Sequence, residues 1–222
     1  PCEELTETYV SRGIPRERIV PAGIPVRRSF WASSENAKEQ LGLDPKRNHL
    51  LLMCGSMGCG PLVRILQQLR HLLPEEAEAT VICGSNRRLY NKLSRLCQGD
   101  PRLHVVGYTQ QVPLYMDASQ LYLTKPGGIS VTEAAAKHLP MAFVNAVAGC
   151  EQFNMDFFTH MGAALTASPP EALAQESVRV LRDCTARQRM EEALLRYDQP
   201  DGARRIFEEL SGESVLCGKT TL

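Results

Sequence analysis

Five times along this chain a mostly apolar run of strand length stops at or near a glycine, and a helical pattern follows. Residues 48–54 run into Gly55 and then helical 62–69, and residues 79–83 into Gly84 and helical 87–96. Residues 103–106 lead to Gly107 and helical 112–118, and residues 121–124 to Pro126-Gly127-Gly128 and a helix-forming stretch that carries Glu133. Residues 141–144 precede helical 152–161. Runs such as Leu50-Leu51-Leu52-Met53 do not alternate polar with apolar, so both faces of the strand must be covered. Strands separated by helix-length segments pair in parallel, because a parallel neighbour is reached only through a crossover. The pattern predicts an α/β fold, a Rossmann-like parallel sheet with helices on both faces. Beyond Pro169-Pro170 the periodicity is helical throughout, over 171–182, 186–197 and 202–210. Ahead of the sheet, 3–12 reads as a helix, 17–21 as an edge-type strand and Gly23-Ile24-Pro25 as a linker. The polar residues 212–222 read as a frayed, disordered tail.

The 222 residues suffice for one large α/β domain, or one domain with an appendage. With 25 basic and 25 acidic residues there is no overall field to gather nucleic acid or an anionic membrane. No apolar run approaches the roughly 20 residues that span a bilayer. The eight cysteines are scattered without a Cys-x-x-Cys pair, so neither a metal site nor a disulfide framework is expected, and a reduced, cytosolic setting fits. His49, His71, His104, His138 and His160 stand apart from one another, and no Ser-His-Asp or Cys-His grouping emerges. The chain opens at Pro1 on what reads as the middle of something longer.

The motif richest in chemistry is Lys125-Pro126-Gly127-Gly128-Ile129, between the fourth strand and its helix. A helix that opens on glycines leaves its first N–H groups without backbone partners, and no Cβ keeps an anion from them. Glu133 falls about four residues into the helix, some 6 Å along its axis. That is about the offset between the diphosphate and the ribose of a nucleoside diphosphate. An ordinary strand–turn–helix corner with a surface glutamate accounts for the same residues.

Two further loops are candidates. Gly55-Ser56-Met57-Gly58-Cys59-Gly60 permits close backbone approach to phosphate or sugar, but its order is not that of a dinucleotide fingerprint, and no acidic residue ends the next strand. Glu151, Gln152 and Asn154, after Gly149, either accept from sugar hydroxyls or only cap and solvate their helix. Cys217-Gly218-Lys219-Thr220 imitates a P-loop ending but lacks the spacing and the following helix.

In this order and spacing, these pieces resemble the sugar-nucleotide half of a GT-B glycosyltransferase. They include Arg12-Gly13-Ile14-Pro15, Gly23-Ile24-Pro25-Val26, Cys83-Gly84-Ser85-Asn86 and Gly107-Tyr108-Thr109 besides the three loops above. The likeness is to the group holding monogalactosyldiacylglycerol synthases and processive diacylglycerol glucosyltransferases, with the lipid II-forming N-acetylglucosaminyltransferase a more distant relative. It runs from about residue 4 to about residue 205 and makes the fold the C-terminal half of a GT-B protein.

The resemblance implies an inverting, UDP-sugar-dependent hexosyltransferase acting on a lipid acceptor such as diacylglycerol, cytoplasmic and peripheral to the membrane when full length, with no metal or cofactor. It implies that Gly55, Ser56, Met57 and Gly58 face the diphosphate and the acceptor cleft. The Tyr108 and Thr109 backbone would read the uracil, and Lys125, Pro126, Gly127, Gly128 and Ile129 would form the diphosphate turn. Glu133 would hold the ribose diol, and Glu151 and Gln152 the sugar. Cys150 stands where relatives often have Gln, and Gln120 where an Asp is common.

The implied organisation assigns 1–22 to the trailing segment of an N-terminal acceptor domain and 23–32 to a linker. Residues 33–185 form the donor domain, and 186–211 helices packing back on it or on the cleft. The lipid site and general base lie on the N-terminal domain outside this chain, so the piece alone should bind UDP-sugar weakly and not turn over. The rivals are a UDP-sugar 2-epimerase-like domain and a nucleotide-binding module without catalysis.

Overall fold

The computed structural model describes residues 2–55, 61–144, 149–197 and 201–212. Along the chain run α1 (Thr6–Val10), α2 (Ala37–Leu41), β1 (Asn48–Met53), α3 (Leu62–Leu72), β2 (Ala77–Ile82), α4 (Arg87–Cys97), β3 (Leu103–Val106) and α5 (Val112–Asp117). They are followed by β4 (Leu121–Thr124), α6 (Gly128–Ala136), β5 (Met141–Phe143), α7 (Cys150–His160), β6 (Ala164–Thr166), α8 (Pro170–Arg182), α9 (Cys184–Arg196) and α10 (Gly202–Ser211). Among the described residues the strands form one six-stranded sheet in the order β3-β2-β1-β4-β5-β6. Every pairing is parallel. The sheet grows one way from β1 through β2 and β3, then the other way through β4, β5 and β6. In such doubly wound sheets the β1/β4 junction opens a crevice beyond the strand ends.

The central strands are buried along nearly their whole length, as their unbroken apolar runs require. On one face, Leu50, Leu52, Ala79, Val81, Leu121 and Leu123 pack with Ile65, Leu66 and Leu69 of α3, Leu93 of α4 and Leu173 and Leu181 of α8. The opposite face is more polar. There the buried His49 pairs through Nδ1 with Ser119 Oγ and through Nε2 with Thr80 Oγ1, each at 2.8 Å. Ser119 donates its own proton to the Tyr115 carbonyl, so it accepts from His49 Nδ1–H, and Thr80 donates to Nε2. The ring is neutral, and burial drives its pKa down to about 3. Gln120 mimics a strand partner: its Oε1 accepts from His49 N–H at 2.7 Å, and its own N–H donates to the His49 carbonyl at 2.9 Å.

Three sequence expectations change. The sheet gains a sixth strand, Ala164–Thr166, which is three residues long, half-buried to exposed, and paired only to β5. So short an edge leaves little apolar signal. Residues 17–21 form no strand: Arg16–Arg18 is a 3₁₀ turn closed by Arg18 N–H to the Pro15 carbonyl and Ile19 N–H to the Arg16 carbonyl, both 3.0 Å. The short helix Ala37–Leu41, ended by Gly42 in the left-handed region, was not anticipated.

Residues Arg28–Tyr197 form the compact unit that holds the sheet, and Pro1–Arg27 with Asp198–Leu222 form another. Within the second unit, α10 begins on Gly202, where a Cβ would lie 3.0 Å from the Ile24 carbonyl carbon and the Pro25 nitrogen. Glycine is what admits so close an approach. Asp201 caps the helix by accepting from Arg204 N–H at 3.2 Å, and Arg205 donates to the Pro21 carbonyl at 3.1 Å. Residues 213–222 lie outside the described residues.

Candidate functional site

β1 and β4 run side by side to their ends, with Met53 opposite Thr124. Their exit loops therefore leave the sheet together. Gly55 follows β1 with φ +73, a conformation that favours glycine. The rest of that candidate loop, Ser56, Met57 and Gly58, lies outside the described residues. Lys125-Pro126-Gly127 follows β4, and α6 begins at Gly128 with Gly127 as its cap residue. Among the described residues no side chain caps this terminus. The first amide bonded back along the helix is that of Val131, which donates to the Gly127 carbonyl at 3.0 Å. The amides of Gly128, Ile129 and Ser130 thus stand ahead of the helical ladder, at the positive end of the dipole.

Side chains that the sequence reading did not single out brace this turn. Thr124, fully buried, donates from Oγ1 to the Met53 carbonyl at 2.7 Å, tying the end of β4 to β1. Tyr122 and Ser130 join hydroxyls at 2.7 Å, fixing the first turn of α6 to the sheet. Burial pushes the Tyr122 phenol pKa upward, against hydrogen bonds from Ser130 and Thr124 that lower it, so the group remains a neutral donor. At the other end of α6, Lys137 pairs with Asp117 of α5 at 2.6 Å, both side chains largely buried. A cation there also suits the negative end of the helix. Asn154 of α7 donates from Nδ2 to the Pro126 carbonyl at 2.9 Å. Through this bond Asn154 ties α7 to the turn.

The other sequence candidates gather around this turn to differing degrees. Glu133 is 8% exposed and shares the buried side of α6 with Val131, Ala134 and Ala135. Because α6 starts at Gly128, it sits five residues into the helix, about 7.5 Å along the axis and one residue deeper than the spacing suggested. Glu151, in the first turn of α7, forms an ion pair with Lys125 at 2.9 Å, with side-chain exposures of 18% and 27%. The structure thus joins two candidates lying in separate loops. Gln152 is exposed and donates to Asp156 Oδ1 at 2.8 Å. Ile129 and Tyr108 are exposed, at 67% and 72%. Thr109 Oγ1 accepts from Gln111 N–H at 3.0 Å, shaping the turn into α5.

α7 is aimed by its aromatic residues. Phe158 meets Phe143 of β5 edge-on at 6.4 Å, and Phe157 and Phe158 both meet Tyr197. Its cap residue, Gly149, has φ +99 and ψ −130, which a residue with a Cβ adopts only under strain. Cys150, the departure noted in the sequence, is an exposed free thiol at the start of that helix. Among the described residues no three His, Cys, Asp or Glu side chains converge as a metal site would require.

A doubly wound parallel sheet with a glycine-opened helix at its switch point is a Rossmann-like architecture. Solved structures share the fold. The UDP co-structure of MnaA from S. aureus matches with a TM-score of 0.74 at 15% identity, covering 95% of this chain and 59% of that protein. MurG from Acinetobacter baumannii matches with a TM-score of 0.63 at 17% identity, covering 93% and 63%. Residues 49–199 match the glycosyltransferase family 28 C-terminal domain, and the chain belongs to that family. It is 30% identical over 177 residues to the processive diacylglycerol beta-glucosyltransferase of Staphylococcus saprophyticus, covering 78% of this chain and 45% of that protein. The corresponding protein of Bacillus mycoides is 31% identical over 217 residues, with 96% and 55% covered. The chain thus spans about half the length of the curated relatives it matches.

Proposed function

We propose that this chain is the donor-binding half of an inverting UDP-sugar-dependent hexosyltransferase that acts on a lipid acceptor such as diacylglycerol. The observation that carries the reading is the uncapped N-terminus of α6, braced at the β1/β4 crevice beside the Lys125–Glu151 pair. In this reading the diphosphate sits over the amides of Gly128, Ile129 and Ser130, with the Lys125 ammonium close by. Charge that grows on the departing UDP then meets fixed donors, a dipole and a cation that need no reorganisation. Glu133 takes the ribose diol, and the Tyr108–Thr109 backbone takes the uracil. Glu151, oriented by Lys125, and Gln152 take hydroxyls of the sugar. Gly55 to Gly58 serve the diphosphate and the acceptor in the same reading.

The acceptor site and general base belong to the part of the relatives' length that this chain does not span. Residues 1–22 and 186–211 serve the connection to that half, around the 23–32 linker. Among the described residues no helix is long and apolar enough to cross a membrane, and the proposed enzyme works at a membrane surface from the cytoplasmic side.

A thermal-shift panel of UDP, UDP-glucose, UDP-galactose and UDP-N-acetylglucosamine tests the donor reading. Ligand at a hundred times its Kd stabilises by about 2.7 kcal/mol, and at about 2–4 °C per kcal/mol the melting point should rise by roughly 5–10 °C. No shift with any of the four at millimolar concentration refutes it.

A further inference from the structure

Between them, α3 and α4 enclose an open groove of about 550 Å³. The half-buried Val63 and Leu96 supply apolar lining, and Arg88, Lys92 and Arg95 of α4 line the same groove. The three cations follow i, i+4, i+7 spacing, which sets them on one face of the helix. Like charges so placed repel one another and destabilise the helix that bears them. Arg88 also sits in the first turn, where the dipole disfavours a cation. Among the described residues no carboxylate lines the groove, although the chain as a whole carries equal numbers of acids and bases.

Neighbouring arginines are engaged. Arg64 grips Glu171 through two bonds of 2.8 and 2.9 Å, and Arg70 donates to the Leu96 carbonyl at 3.1 Å. Among the described residues, no acid pairs with Arg88, Lys92 or Arg95. Three exposed cations gathered without a counter-charge beside an apolar lining complement an anion attached to an apolar body.

We propose that this groove seats the head group of an anionic phospholipid, laying α4 against a negatively charged membrane surface. The phosphate meets the three cations, and the glycerol and first methylenes lie over Val63 and Leu96. The long cationic side chains run their stems along that apolar surface. A single-stranded nucleic acid would want aromatic platforms, which the groove lacks. The inference rests on the lipid-directed reading above for why such a surface is at hand. It uses no donor-site residue, so the two fail separately.

The 222-residue chain is sedimented with vesicles of pure phosphatidylcholine and with vesicles containing roughly 30 mol % phosphatidylglycerol, an anionic fraction able to hold polybasic surfaces. Binding is expected on the anionic vesicles only. Each cation near such a surface is worth roughly fivefold in partitioning, so Lys92→Ser alone should cost about fivefold and Arg88→Ser/Lys92→Ser/Arg95→Ser about a hundredfold. All three residues are exposed, and the melting temperature and the response to UDP should not change. A charge-matched control, Arg182→Ser/Arg189→Ser/Arg196→Ser on α8 and α9, should lose less than about threefold. Equal loss in the control, or no preference for anionic vesicles, overturns the proposal.

Discussion

Replacing Glu133 by alanine should weaken UDP binding by about 10- to 150-fold. A hydrogen bond to a charged acceptor contributes about 1.5–3 kcal/mol, and each 1.4 kcal/mol is about tenfold in affinity. The upper end suits a carboxylate that is 8% exposed, where water competes poorly.

Isothermal titration with UDP and with 2′,3′-dideoxy-UDP, on both proteins, completes a cycle that isolates the pairwise term. The wild-type chain should lose the same factor when the diol is deleted as when Glu133 is deleted. The variant should then be indifferent to the diol. Unchanged UDP affinity in Glu133→Ala, or a full diol effect persisting in it, would falsify the ribose assignment.

Lys125→Met should lower affinity for UDP by about tenfold or more, through loss of a charge-assisted phosphate bond, while leaving uridine unaffected. Equal losses for the two ligands would make the lysine a structural support. Gly149→Ala forces a Cβ into φ +99, ψ −130 and should cost about 1–3 kcal/mol, read as a fall in melting temperature. Thr124→Val keeps the shape but deletes the bond to the Met53 carbonyl, and urea denaturation should show a loss of about 1–2 kcal/mol. His49 has a pKa of about 3 when folded, depressed chiefly by burial and also by His104 and Lys38. Unfolded it titrates near 6.5, so below about pH 6.5 the unfolded chain binds the extra proton. This contribution is complete above that value and shrinks as pH falls toward about 3, by up to about 1.4 kcal/mol per unit. His49→Gln should remove that slope, and an unaltered slope in the variant would show the imidazole to be protonated in the fold.

Much of the fold was readable from β1, β2 and β4, because strands covered on both faces cannot hide their apolar runs among polar neighbours. The helix after Gly128 was equally plain, since a Pro-Gly-Gly turn runs there into the helix-forming stretch Glu133-Ala134-Ala135-Ala136. β6 escaped notice because three residues at a half-exposed edge carry no such pattern. Residues 17–21 misled because their composition suits a strand, yet local bonds to Pro15 and Arg16 closed a turn instead.

At the site, the types of residue were visible and their partnerships were not. Glu151 was a candidate by type, while its pairing with Lys125 joins positions on different loops, as does the bond from Asn154 to Pro126. Propensity and backbone freedom act over a few residues, and so the chain's string of letters settles its buried central strands and the glycine turns that follow them. Which turns become neighbours depends on the order β3-β2-β1-β4-β5-β6. That order arises when crossover helices bury both faces of the whole sheet at once. The brace of Thr124, Tyr122 and Ser130 is therefore a product of the folded assembly and has no local signature.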